Sequence, residues 1–168
     1  LKDQGLPSIF HLINDESNIL SQKLVDDRRI DLLSFTGSSE VGKNVGQKVA
    51  SRMGKYLLEL GGNNAIIVDE SANFDITIPG IVFGSVGTAG QRCTTTRRVF
   101  VHTSRMDELK EKLVRAYKQI PIGDPLDTKT LMGPLIDEKS LQSVEAAVEK
   151  IVAAGGEILC GGKRVGDK

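Results

Sequence analysis

Gly61-Gly62-Asn63-Asn64-Ala65-Ile66-Ile67-Val68 is a glycine-rich turn that runs into four apolar residues without a polar interruption. A strand with one wet face alternates apolar and polar side chains. An uninterrupted run is the pattern of a strand covered on both faces, as in parallel sheets flanked by helices. Parallel strands need a crossover, usually a helix, so helical patterns should lie on either side. Downstream, Phe74, Ile78, Ile81, Val82 and Ser85 mark a helix, with Pro79 as a kink or late start. Upstream, Val41, Val45, Val49 and Met53 recur every fourth residue, and Gly54 is placed to end that helix.

Further out the alternation continues. Residues Arg29 to Phe35 read as a strand and turn at Thr36-Gly37-Ser38-Ser39; Leu57 to Leu60 is a short apolar strand interrupted by Glu59. Ile19, Leu20 and Leu24 give Ser17 to Val25 a helical face, and Ile9 to Ile13 reads as a strand after a turn at Gly5-Leu6-Pro7. Toward the other end, Val99 to His102 is a strand, and Met106, Leu109, Leu113, Ala116 and Ile120 line an amphipathic helix. A loop spans Gly123 to Pro134. Leu141, Val144, Val148, Ile151 and Val152 form a last helix stopped by Gly155-Gly156, and Ile158 to Cys160 reads as a final strand. The fold class is α/β, with mainly parallel sheets and flanking helices.

The chain has 168 residues, the size of one domain or parts of two, starts at Leu1 and ends in a polar tail, so it reads as a piece of a longer protein. Lysine plus arginine balance aspartate plus glutamate at 22 each, which argues against a nucleic-acid or anionic-membrane surface. No apolar run approaches the roughly 18 residues of a membrane span. Cys93 and Cys160 do not make a disulfide framework, so a reducing compartment, the cytoplasm, is expected. His11 and His102 lack ligand partners at metal spacing, and no metal site is expected.

Three stretches carry chemistry. The first is strand, then Gly37-Ser38-Ser39-Glu40-Val41-Gly42, then helix. A helix start offers unpaired N–H groups and a positive dipole end, which suit a phosphate or pyrophosphate. The same residues suit an ordinary serine N-cap. Gly37, Gly42 and Lys43 also have P-loop spacing, with Asn44 where the magnesium-binding Ser or Thr belongs and Asp69 as a strand-end aspartate. The second stretch is Leu58-Glu59-Leu60-Gly61-Gly62, where a carboxylate between leucines would be desolvated toward the range of a general base. The alternative is a strand-end glutamate that pairs locally. The third is Gly90-Gln91-Arg92-Cys93-Thr94-Thr95: one cysteine in a polar turn, with Arg92 favouring its thiolate and its own N–H available to an oxyanion. Here the alternative is a loop cysteine without a role.

Taken in order, Phe35 to Gly42, Leu58-Glu59-Leu60-Gly61-Gly62 and Gly90-Gln91-Arg92-Cys93, with 34 residues from Glu59 to Cys93, resemble the aldehyde dehydrogenase superfamily. Gly61-Gly62-Asn63-Asn64 and Val86 to Thr95 are most similar to its antiquitin branch, which oxidises α-aminoadipic semialdehyde in lysine breakdown. The resemblance implies that residues 1–60 close a Rossmann-like NAD-binding domain and that residues 61–168 open the catalytic domain. It implies Cys93 as nucleophile and Glu59 as the base that activates water. Gly37, Ser38, Val41 and Gly61 would meet the cofactor, NAD, and Arg92 and Thr94 the substrate. It further implies a small-molecule aldehyde substrate, no nucleic-acid or membrane partner, a dimeric or tetrameric parent, and an isolated piece without activity. A P-loop-like nucleotide hydrolase and a non-catalytic protein that keeps the fold stand as the competing readings.

Overall fold

The computed structural model describes Gly5 and residues 9–166; Leu6 and Pro7 of the expected first turn lie outside the described residues. By contacts the chain divides into two compact units, residues up to Gly61 and residues from Gly62 onward.

The first unit holds α1 (Ile19–Asp26), β1 (Leu32–Thr36), α2 (Ser39–Ser51) and β2 (Lys55–Glu59). β1 and β2 pair in parallel, in register from Leu32 beside Lys55 to Thr36 beside Glu59. Helix α2 lies on Leu58 of β2 and on Leu60 just past it because two of its residues have no side chain. Gly46 is buried with Leu58 against it, and a Cβ on Gly42 would fall inside the Leu60 side chain. Arg52, just past α2, donates to the carbonyls of Val25 at 3.1 Å and Ile30 at 3.0 Å, tying α1 and the approach to β1 to that helix end.

The helix does end near Gly54, but the left-handed residue is Met53 (φ 60°). Gly54 instead donates its N–H to Val49 O at 3.0 Å while Met53 bonds Ala50 O at 2.9 Å, a Schellman closure. Glycine is needed at position 54 for space, since a Cβ there would lie 2.8 Å from Val49 Cγ1. The last helix closes in the same way with glycine in the left-handed place, Gly155 at φ 87°.

The second unit holds β3 (Asn64–Val68), α3 (Phe74–Val86), a 3-10 turn (Gly87–Gly90), β4 (Thr96–Val101), α4 (Met106–Tyr117) and α5 (Glu138–Ala153). β3 and β4 are parallel, with a register shift between Asn64 and Ala65. Val68, Phe74, Ile81 and Leu109 form the core, with Ile66, Ile78, Val99, Val101 and Leu113 packed against it. Pro79 sits inside α3 and does not delay its start, because Asn73 caps the helix through Asp75 N–H at 2.9 Å.

Three expectations are corrected. The run Ala65 to Val68 is covered on one face only: Ile66 and Val68 enter the core, whereas Ile67 is 83% exposed and Phe100 beside it 54%. No strand forms at residues 9–13 or 158–160. Apolar content alone does not make a strand. Its backbone groups need a neighbouring strand, and the described strands pair only β1 with β2 and β3 with β4. The loop at 123–134 is present, pinned by a bridge between Ile122 and Met132.

Candidate active site

The first candidate turn joins β1 to α2. Ser38 is the N-cap, its hydroxyl oxygen accepting from Val41 N–H at 3.2 Å, and Gly42 N–H bonds Ser38 O at 2.9 Å. Gly37 N–H donates to Glu59 O at 3.0 Å, so it is not among the unpaired donors of the helix start. The N–H groups left without a partner here among the described residues are those of Ser38, Ser39 and Glu40. Gly61 lies beside them: a Cβ there would come 3.8 Å from Ser39 Oγ. Val41 is exposed on the first turn of the helix.

This geometry removes the P-loop reading. A P-loop needs open backbone between its two glycines to wrap phosphates. Here α2 has begun at Ser39, so Gly42 and Lys43 are already inside it, and Gly42 is buried on Leu60. Glu59 ends β2. The two-residue alternation of a strand turns Leu58 and Leu60 toward α2 and leaves Glu59 on the other side. The carboxylate that the sequence placed between desolvating leucines is therefore exposed.

The second candidate turn leads into β4. Thr88 (φ 54°), Ala89 (φ 53°) and Gly90 (φ 72°) are left-handed in succession, at roughly 1–2 kcal/mol for each residue with a Cβ. Gln91 holds this segment to a distant one. Its amide nitrogen donates to Thr88 O at 3.1 Å and Pro134 O at 3.4 Å, and its oxygen accepts from Ile136 N–H at 2.9 Å. A tight turn follows, closed by Thr95 N–H to Arg92 O at 3.2 Å and Arg92 N–H to Thr95 Oγ1 at 3.1 Å; Thr95 is only 4% exposed. Cys93 and Thr94 are at its exposed tip. The Cys93 N–H has no partner among the described residues, whereas its carbonyl accepts from Asn64 Nδ2 at 2.6 Å. Arg92 is exposed, with its Nε donating to Thr88 Oγ1 at 2.8 Å and its guanidinium 5.9 Å from the Phe83 ring centre.

The family model of the aldehyde dehydrogenase family matches residues 1–168 of the chain. The chain belongs to the aldehyde dehydrogenase family. It is 45% identical to the bovine α-aminoadipic semialdehyde dehydrogenase over 163 residues, which is 97% of this chain and 30% of that protein. Aldehyde dehydrogenase family 7 member A1 of Brassica napus is 49% identical over 146 residues, 87% of this chain and 30% of the relative. The chain thus spans about 30% of the length of these curated relatives. Among solved structures, an NAD-dependent aldehyde dehydrogenase from Sinorhizobium meliloti superposes with a TM-score of 0.94 at 32% identity, over 99% of this chain and 33% of that one. A betaine aldehyde dehydrogenase from Staphylococcus aureus, crystallised with NAD+, gives 0.83 at 31% identity, over 89% of this chain and 30% of that one.

In this aldehyde dehydrogenase chain the residues singled out from sequence fall in two groups. Gly37, Ser38, Val41, Glu59 and Gly61 belong to the first unit, and Arg92, Cys93 and Thr94 to the second. Cys160 is free, like Cys93, and lines a groove of about 420 Å³ with Leu113, Tyr117, Val148 and Ile151. Among the described residues no three His, Cys, Asp or Glu side chains are grouped to hold a metal ion, and no helix is long and apolar enough to cross a membrane. The sequence reading gave no role to Asn64, Gln91 or Thr95. Their partners lie 29 and 31 residues away for Asn64, and 43 and 45 for Gln91, so no local pattern announced them.

Proposed function

We propose that the chain is the middle of an NAD+-dependent aldehyde dehydrogenase that oxidises α-aminoadipic semialdehyde to its carboxylate in lysine breakdown. The observation that carries the reading is the Cys93 turn: an exposed thiol whose own N–H is open while its carbonyl is held. The branch rests on the similarity to the bovine semialdehyde dehydrogenase. Residues 1–60 are assigned to the end of the cofactor domain and 61–168 to the start of the catalytic domain, a reading that the contact division after Gly61 supports.

In this reading the Cys93 thiolate attacks the aldehyde carbon. The C–S bond forms as the carbonyl pair moves to oxygen, where the Cys93 N–H donates to the developing charge, a type of contact worth about 3 kcal/mol in other enzymes. The chemistry that bound NAD+ supplies is acceptance of the hydride from the thiohemiacetal carbon, which leaves a thioester on Cys93. Glu59 then takes a proton from water, the water oxygen adds to the thioester carbon, and the C–S bond breaks to release the acid and regenerate the thiolate. The start of α2 fits the cofactor's pyrophosphate, because Ser38, Ser39 and Glu40 present N–H groups there that have no partner among the described residues, and Ser38 adds a hydroxyl proton. Gly37 and Gly61 keep that approach free of side chains, and Val41 is assigned to the adenine side. Arg92 offers a cation to the substrate's carboxylate end, with Thr94 beside it. The complete enzyme is assigned to the cytoplasm as a homo-dimer or tetramer.

The test is NAD+ reduction by the complete enzyme that contains this chain, with α-aminoadipic semialdehyde against a simple aliphatic aldehyde. The expected result is strongest activity on the semialdehyde and a loss of at least about 10³-fold in Cys93→Ala, the scale for removing a nucleophile. Equal activity on both aldehydes would discard the substrate. Activity that survives Cys93→Ala would discard the mechanism.

A further inference from the structure

The strongest grip on the Cys93 turn comes from outside it. Asn64 opens β3, and its side-chain nitrogen donates to Cys93 O at 2.6 Å and to Thr95 O at 3.2 Å. An amide nitrogen has two protons, and this geometry uses both on one turn. Gly62, two residues earlier, lets the strands approach so closely that a Cβ on it would stand 2.8 Å from the same Cys93 O. Inside the turn only the Arg92–Thr95 pair of hydrogen bonds closes the backbone, and neither involves Cys93. Asn64 therefore sets the plane of the peptide that follows the cysteine, and with it the direction in which the thiol and the open N–H face a substrate. We infer that Asn64 is a positioning residue for the nucleophile. It acts through the backbone of Cys93 and does not touch substrate. The inference rests on the reading of Cys93 as nucleophile.

Two variants and two readouts test it. In the complete enzyme, Asn64→Ala and Asn64→Asp should lower kcat by about tenfold and leave KM for the aldehyde within about twofold, as misplacement of a reacting group does. Asn64→Asp keeps the shape but puts a carboxylate against two carbonyls. Protonation restores one donor, so its deficit relative to wild type should shrink as pH falls, and that of Asn64→Ala should not. In the 168-residue chain itself, hydrogen exchange across residues 91–96 should quicken in both variants while α5 is unchanged. Unchanged exchange at 91–96 in a folded variant overturns the inference, whatever the turnover. A rise in KM at constant kcat, or equal deficits of the two variants at every pH, also overturns it. Should Cys93→Ala keep full turnover, the functional reading fails, and the exchange measurement alone decides whether Asn64 holds the turn.

Discussion

The Gly37 turn leaves strand β1 and the Cys93 turn leads into strand β4, yet the two are held in different ways. At the first, Ser38 caps a helix that starts at the next residue, and the bonded Val41 is three residues on. One bond, from Gly37 N–H to Glu59 O, reaches the neighbouring strand. At the second, the groups that hold the backbone come from Asn64, 29 residues before the cysteine, and from Pro134 and Ile136, which grip Gln91 across 43 and 45 residues. A turn held locally survives changes elsewhere. A turn held from afar is only as well placed as the elements that hold it, and it can be built in left-handed backbone that no local preference would choose.

The largest effect that would sharpen this contrast comes from adding one methyl group against the second turn and one within the first. Gly62→Ala drives a Cβ to 2.8 Å from a backbone carbonyl, which cannot swing aside, and should cost about 1–3 kcal/mol in thermal unfolding. Gly37→Ala meets the end of the Phe35 ring at 2.5 Å, which can rotate, so about 0.5–1.5 kcal/mol is expected. Equal losses would remove the distinction between backbone and side-chain neighbours.

A smaller effect is expected at the first turn from Ser38→Ala, which removes the cap at about 1 kcal/mol. Hydrogen exchange should quicken at the start of α2 and stay unchanged at residues 91–96, since the two turns are held by different groups. Quickened exchange at both would break the comparison.

The smallest effect lies before β1, where the Arg29 guanidinium and backbone N–H hold the Asp27 carboxyl at about 2, below its ordinary 3.8. A carboxyl lowered on folding stabilises fully above its unfolded value, and the contribution is lost as pH falls through the folded one. For Asp27 that window runs from 3.8 down to about 2. Arg29→Ala should move the Asp27 titration, followed by NMR, back toward 3.8 and leave stability at neutral pH nearly unchanged, as for exposed ion pairs generally.

Much of the fold was legible because it follows from periodicity. The four-residue spacing of Val41, Val45 and Val49 is α2, with Val45 and Val49 buried on one face. The spacing of Phe74, Ile78 and Ile81 is α3. Strands at residues 9–13 and 158–160 were misread because a strand is completed by its neighbour, and apolar residues in sequence do not say whether a neighbour is there. The coverage of Ala65 to Val68 failed for a related reason: composition shows that a strand can be buried on both faces, while only packing shows how many faces are covered. The pattern has Glu59 interrupting a strand from Leu57 to Leu60, whereas it ends β2, and its exposure depended on which side of β2 received the helix.

By itself the sequence determined the order of strands and helices from α1 to α5, the serine cap of α2, and the two stretches that hold Glu59 and Cys93. These follow from side-chain periodicity and from bonds spanning only a few residues. Tertiary structure decided that Gly42 is buried against Leu60, that Gly37 spends its N–H on the next strand, and that Asn64 and Gln91 hold the cysteine turn. Each of these depends on backbone groups brought together from distant parts of the chain, where no residue spacing carries the information.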